Sequence, residues 1–210
     1  MIRDWVNWCW LSGDHIVEQH VHNLDAVAWF VGAWPTKAVG MGGRARRVTG
    51  DQFDFFANDY TYDNGMHLQS QCRQVDGCAN DVSEYLVGTE GSTNCKDTIW
   101  DKTGKVVWKY QEEGQEPGKS KFDPYVQEHV DLVTAIRTNQ PINEATDVAH
   151  STLVAIMGRI SAYTGKEVTW DELMKSDLRL GPTQYAMGPV AIKAQPPVPG
   201  TAKAEAGKPA

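Results

Sequence analysis

Between Ser12 and Ala33 apolar side chains recur at Val17, Val21, Leu24, Ala28 and Val31, the spacing of one helix face. Ser12 or Asp14 is placed to cap this helix, and Pro35 to stop it. From Lys37 to about Tyr110 the period shortens. The run Phe53–Tyr62 is rich in strand formers, and Asp63-Asn64-Gly65 is a hairpin turn leading into a return strand over Met66–Val75. Thr98-Ile99-Trp100 and Val106-Val107-Trp108 flank a second hairpin turn over 101–104. Val82–Val87 reads as a further strand, closed by Gly88-Thr89-Glu90-Gly91. Turns join these segments, not crossovers of a dozen residues, so the pairing expected is antiparallel.

Residues 111–122 are polar and glycine-bearing, a surface loop. Asp123 as N-cap and Pro124 at the first helical position start a helix that ends before Pro141. Asn143 caps the next, with Ala145, Val148, Ala149, Thr152, Ile156 and Ile160 as its apolar face and Gly165 as its stop. Thr169-Trp170-Asp171-Glu172 is a capping box, with Val168 and Leu173 spaced as a staple. The order of elements predicts an α+β fold, a largely antiparallel open sheet with helices packed on one face. It spans residues 1–188 as one domain, and the Pro/Ala/Gly/Lys-rich stretch 189–210 is expected to be a disordered tail.

Composition narrows the function classes. A hydrophobic fraction of 41% and a charged fraction of 22% suit an ordinary globular core. The net charge of −7 argues against a nucleic-acid partner, since the most basic run, Arg44 to Arg47, holds only three arginines. No run of 18 apolar residues occurs, so no membrane span is expected, and Met1-Ile2-Arg3-Asp4-Trp5 lacks the apolar core of a signal peptide. Cys9, Cys72, Cys78 and Cys95 show no CxxC spacing; free thiols in a cytoplasmic, reducing setting are expected, and no structural metal. Eight tryptophans and seven tyrosines suit a sheet–helix core first and a sugar-facing pocket second. Phe53, Phe55, Tyr60, Tyr62 and Trp108 exceed what one helical layer need cover, which predicts self-association through the sheet face.

Two segments carry candidate chemistry. Gly40-Met41-Gly42-Gly43-Arg44-Ala45 matches G-x-G-x-x-A, but a dinucleotide fingerprint must open a helix whose free N–H groups meet the pyrophosphate. No helical period follows, so the stretch reads as a glycine-rich strand or bulge, and no cofactor-binding residue is expected in it. The segment 14–25 holds three of the six histidines. On one continuous helix His15, Glu18, His22 and Asp25 share a face, and His20 points elsewhere. Glu18 and His22, four residues apart, suit a carboxylate orienting an imidazole as general base. The same spacing also suits a solvated polar face. A metal site from His15, Glu18 and His22 is disfavoured because HExxH is absent. Arg73 is spaced to clamp a carboxylate or hydroxyl groups, or to be a surface charge.

The stretches Ser12–His15 to His22–Asp25, Gly40–Arg44, Cys72-Arg73-Gln74, Gly88–Gly91, Pro141–Ala145 and Ala155–Trp170 occur in an order that resembles the C-terminal domain of Gfo/Idh/MocA oxidoreductases, over about residues 5–180. The resemblance implies a sugar or polyol substrate, NAD or NADP as cofactor of the intact enzyme, and a homo-oligomer in which the sheet face packs against a second subunit. It implies His22 as proton-transfer residue and Glu18 as its partner, where many members have aspartate. His15, His20, Asp25 and Arg73 would bind substrate. The family's Glu-Lys-Pro lysine and its Rossmann half are absent from this sequence, so no nicotinamide is expected on this chain alone. A non-catalytic dimerising or sugar-binding module, or part of an NAD-dependent glycosidase, are the alternatives.

Overall fold

The structure, a computed structural model, describes residues 3–110 and 123–201. The loop expected over 111–122 and the end of the expected tail, 202–210, lie outside the described residues. In chain order a 3-10 turn (Trp5–Asn7) precedes α1 (Cys9–Ser12), α2 (His15–Glu18), α3 (Val21–Val31) and strands β1 (Lys37–Gly43), β2 (Phe55–Thr61) and β3 (His67–Arg73). Strands β4 (Leu86–Val87), β5 (Gly91–Thr93), β6 (Thr98–Asp101) and β7 (Val106–Lys109) come next. Helices α4 (Pro124–Thr138) and α5 (Ala145–Thr164), strand β8 (Val168–Thr169) and helix α6 (Trp170–Met174) complete the chain. The fold is α+β and every strand pairing is antiparallel. The strands form two four-stranded sheets, and the chain divides into two compact units, residues 1–81 with 149–210, and residues 82–148.

The first unit holds the sheet ordered β3-β2-β1-β8. Side chains alternate across it. Ala38, Phe56, Asn58, Tyr60 and Ser70 are buried on one face, while Val39, Met41, Phe55 and His67 are exposed on the other. One core cluster joins Leu24, Ala38, Tyr60, Tyr62, Val154, Ala155, Met157, Val168 and Leu173. A second joins Cys9, Ile16, Phe53, Phe56, Ala162 and Tyr163. The aromatic surplus is therefore largely interior: Phe53, Tyr60 and Tyr62 are core residues, and of the five aromatics expected on an open face only Phe55 and Trp108 are exposed. Aromatic rings fill the layer because the helix they meet offers small side chains.

That helix is α5. Its expected face matches the buried one only in part: Ile156 and Ile160 pack half-buried against the core, but Val148 is exposed, while Ser151, Val154, Ala155, Gly158, Ser161 and Ala162 are buried. Small residues let α5 lie close on the sheet. Ser161 Oγ accepts from Gly40 N (2.7 Å) and donates to Lys166 O (2.6 Å). A Cβ at Gly40 would fall 2.0 Å from Asn58 Oδ1, which is why β1 carries glycine there. The glycine-rich stretch is thus strand, as expected. The capping box also forms, with Thr169 Oγ1 accepting from Glu172 N and the Glu172 carboxylate accepting from Thr169 N.

In the second unit the order is β4-β5-β6-β7. Only Leu86–Val87 of the expected strand Val82–Val87 pairs; Val82 and Tyr85 are exposed outside it. Asp123 caps α4 by accepting from Tyr125 N, Pro124 sits in the first turn, and Asn139 ends the helix at φ 54°. Among the described residues no helix is long and apolar enough to cross a membrane.

The close approach of α5 gives a test. A Cβ at Gly158 would lie 2.1 Å from the Tyr60 hydroxyl and 3.0 Å from Asn58 Nδ2. Gly158→Ala is expected to destabilise the protein by about 1–3 kcal/mol in urea unfolding, with part of the loss restored by adding Tyr60→Phe. A Gly158→Ala protein as stable as the parent would contradict this packing.

Candidate functional site

Within the helix expected over 12–33 the structure has two helices, α2 and α3, with Asp14 capping the first as expected, and α1 is cut off from them at Gly13 and Asp14. Both take positive φ, 80° and 81°. For a non-glycine residue this conformation costs on the order of 1–3 kcal/mol. The Asp14 side chain supplies the compensation. Its fully buried carboxylate accepts from His15 N (2.5 Å), Phe53 N (3.2 Å) and the Tyr163 hydroxyl. Beside it, the buried Arg159 donates from Nη1 to Gly13 O at 2.9 Å. Burial pushes the Asp14 pKa up to about 6, against the opposing pull of these donors and of Arg159. One side chain thereby ties the start of α2 to β2's entry and to α5.

A second break separates α2 from α3. Gln19 leaves helical geometry, and Gln19 N and His20 N both donate to His15 O at 3.1 Å. Asn23 N and Leu24 N then restart the helix on His20 O. Because the phase resets between Glu18 and Val21, a straight helix face does not define the site.

Even so, part of the expected constellation comes together. His15 is buried, with Nδ1 3.9 Å from Glu18 Oε1 and without a hydrogen-bond partner. Burial and the charge of Arg47 push its pKa down. Burial pushes the Glu18 carboxyl up, while the charges of Arg47 and His22 pull it back. Glu18 and His22 therefore remain electrostatic neighbours across the break, though no hydrogen bond joins them, and the His22 side chain is exposed at the head of α3. His20 turns inward: Nε2 lies 2.8 Å from Ser70 Oγ on the buried sheet face. Burial, reinforced by the charge of His15 and opposed by a hydrogen bond with Asn23, pushes its pKa down to about 4.

Two expected residues stand apart. Asp25 accepts from the Ser151 hydroxyl, tying α3 to α5. Arg73 ends β3 on the face opposite Ser70, and its Nη2 donates to Ala79 O at 2.8 Å. In their place the structure brings in Arg47, felt by both His15 and Glu18. Its only signal in the sequence is the basic run Arg44 to Arg47.

Gly40–Ala45 does not fit a dinucleotide. Residues 37–43 are paired strand, and the free amides that follow, Ala45 N, Arg46 N and Arg47 N, already donate to the buried Asp54 carboxylate at 2.7–2.9 Å. Among the described residues no group of three His, Cys, Asp or Glu side chains is arranged to hold a metal ion.

With this geometry in hand, solved structures identify the architecture. The chain is similar to an oxidoreductase from Thermotoga maritima (TM-score 0.61, 16% identity, covering 81% of this chain and 48% of that one). It is similar to myo-inositol 2-dehydrogenase from Lactobacillus plantarum (TM-score 0.53, 21% identity, 75% and 49%). A third is scyllo-inositol dehydrogenase from Lactobacillus casei, solved with NAD(H) and scyllo-inositol (TM-score 0.54, 16% identity, 75% and 48%). The chain spans about half the length of these structures. No protein-family model and no curated protein matches it. The fold is that of the C-terminal domain of Gfo/Idh/MocA-type oxidoreductases.

The inward placement of half-buried His20 is measurable. A histidine whose folded pKa is depressed contributes stability that is full above its ordinary value near 6.5 and is lost as pH falls through the folded value. With a folded pKa of about 4, the loss between these limits is about 3 kcal/mol. The His20 ring is expected to stay neutral in NMR titrations down to about pH 4. A midpoint above 6 would contradict the inward placement.

Proposed function

We propose that the chain is the substrate-side half of an NAD(P)-dependent sugar or polyol oxidoreductase, with His22 as its proton-transfer residue. The observation that carries this is the exposed His22 imidazole at the head of α3, beside the Glu18 carboxylate of an anchored α2. It supports a general base that takes the proton from a substrate hydroxyl as the carbon is oxidised, and returns it in the reverse direction. Glu18 stabilises the imidazolium that forms. His15 and His20 wall the site on its buried side. The inositol dehydrogenases among the similar structures favour a polyhydroxylated substrate.

The reading leaves the nicotinamide to a separate nucleotide-binding domain, because the glycine-rich stretch here is strand and its following amides are taken by Asp54. It follows that the chain alone is inactive. Self-association through the open face of the first sheet belongs to the same reading, supported by the exposed Val39, Met41 and Phe55.

Joined to a dinucleotide-binding domain, the chain should lose roughly 10²–10⁴-fold in kcat on His22→Ala. Glu18→Gln should lose less, since the amide still accepts a hydrogen bond. His67→Ala, on the opposite sheet face where its Nδ1 lies 3.0 Å from Asp59, should leave turnover unchanged. Steady-state kinetics in which His22→Ala matches the parent would remove His22 from the mechanism.

A further inference from the structure

Among the described residues Arg47 is tied to two neutral side chains and to no carboxylate. We propose that it is an oxyanion-binding group beside the candidate site, so that the sugar or polyol bound there carries a carboxylate or phosphate. This rests on the reading of the His22 face as a sugar site and names the substrate class more narrowly.

The loop that presents Arg47 is fixed from both sides. Arg44 donates from Nε to Gln52 O and from Nη2 to Gly50 O, each at 2.9 Å. The amides of Ala45, Arg46 and Arg47 converge on Asp54, which is almost fully buried. Burial alone would raise the Asp54 carboxyl, but these three N–H groups and the Arg47 charge outweigh it and hold its pKa below the ordinary value. Arg46 adds a bond from Nη1 to Asp76 O at 2.7 Å. A binding group on such a loop loses little freedom when it takes a ligand.

The guanidinium itself is tethered by neutral groups. Its Nη1 donates to Asn7 Oδ1 (2.5 Å) and its Nη2 to Gln74 Oε1. These residues lie far apart in the chain, in the opening 3-10 turn and just after β3. Among the described residues no carboxylate comes within 4.0 Å of the Arg47 side chain, and its Nε is buried without an acceptor. A guanidinium has five N–H donors; with Nε enclosed and the two tethers made, one N–H on each Nη is left for a ligand. Two carboxylates feel its charge. Asp54 is already engaged by main-chain N–H groups, and Glu18 stays beyond ion-pair reach.

The nearest titratable groups of α2 point the same way. His15 is more than nine-tenths buried, its Nδ1 has no partner, and the Arg47 charge helps keep it neutral. A partly buried cation with no carboxylate in hydrogen-bond reach is stabilised when a ligand brings one. An oxyanion meets a guanidinium with two parallel hydrogen bonds, stronger than neutral ones. The Arg47 charge acts on both His15 and Glu18, so an anion held by Arg47 would belong to the substrate of that site.

Calorimetric titration of the full chain with glucuronate, glucose 6-phosphate and glucose tests this. Charged hydrogen bonds of this kind predict that at least one of the two acids binds about tenfold or more tightly than glucose. Glucuronate alone marks a carboxylate subsite, and glucose 6-phosphate alone a phosphate subsite. Arg47→Gln should reduce the preference to near parity. Should that variant unfold, because Asn7 and Gln74 lose their tie, the parent still decides: raising salt tenfold should shrink the preference for the acid and leave glucose unchanged. Glucose binding as tightly as both acids overturns the subsite and keeps the sugar site. No binding of any of the three overturns both.

Discussion

The Asp14 carboxylate accepts hydrogen bonds from the first amide of α2, from the chain entering β2 and from a tyrosine on α5, all in the interior. The start of the candidate site depends on that junction. The positive φ at Gly13 and Asp14 ends α1, and the Asp14 side chain caps α2. The cost of that backbone conformation, and of burying a carboxyl group, is offset only because each oxygen has a donor. Arg159 and Tyr163 belong to α5, so the helix that closes the core also fixes the start of the site helix.

From this anchor the polar and apolar layers sort themselves. Small residues on α5 and glycine on β1 bring helix and sheet close together, and the space they leave is filled by Tyr60, Phe56 and Phe53. Histidines at the rim divide by depth. His20 and His15 are drawn inward, where desolvation keeps them neutral, while His22 stays in water next to Glu18. An acid–base residue is useful only if it can exchange protons with substrate, and exposure gives His22 that access. The inward pair, buried His15 and half-buried His20, supplies shape and hydrogen bonding instead.

Much of this architecture is legible in the residues, because it is local. Asp123-Pro124, Thr169 with Glu172, and Asp63-Asn64-Gly65 are short-range signals, and each appears where its chemistry demands. Asp14 is legible as a cap, but the break at Gln19–His20 that ends its helix after one turn is not. The partners that bury its carboxylate, Phe53 and Tyr163, lie 39 and 149 residues away and are equally hidden in the sequence. The buried face of α5 is only partly legible: Ile156 and Ile160 reach the core, but most of the fully buried residues are small or polar, so an apolar stripe marks one side of that face. Arg47 lies outside the histidine segment, and its two tethers come from residues 7 and 74. A face inferred from helix phase admits Asp25, but in the fold Ser151 takes its carboxylate.

The most direct measurement of the central claim is NMR of the histidine rings during titration with a polyol such as myo-inositol. The account predicts that the His22 ring signals shift saturably, with smaller changes at His15 and His20, while His67 on the far sheet face does not move. Saturable shifts confined to His67, or an unperturbed His22 at saturation, would contradict the placement of the substrate site.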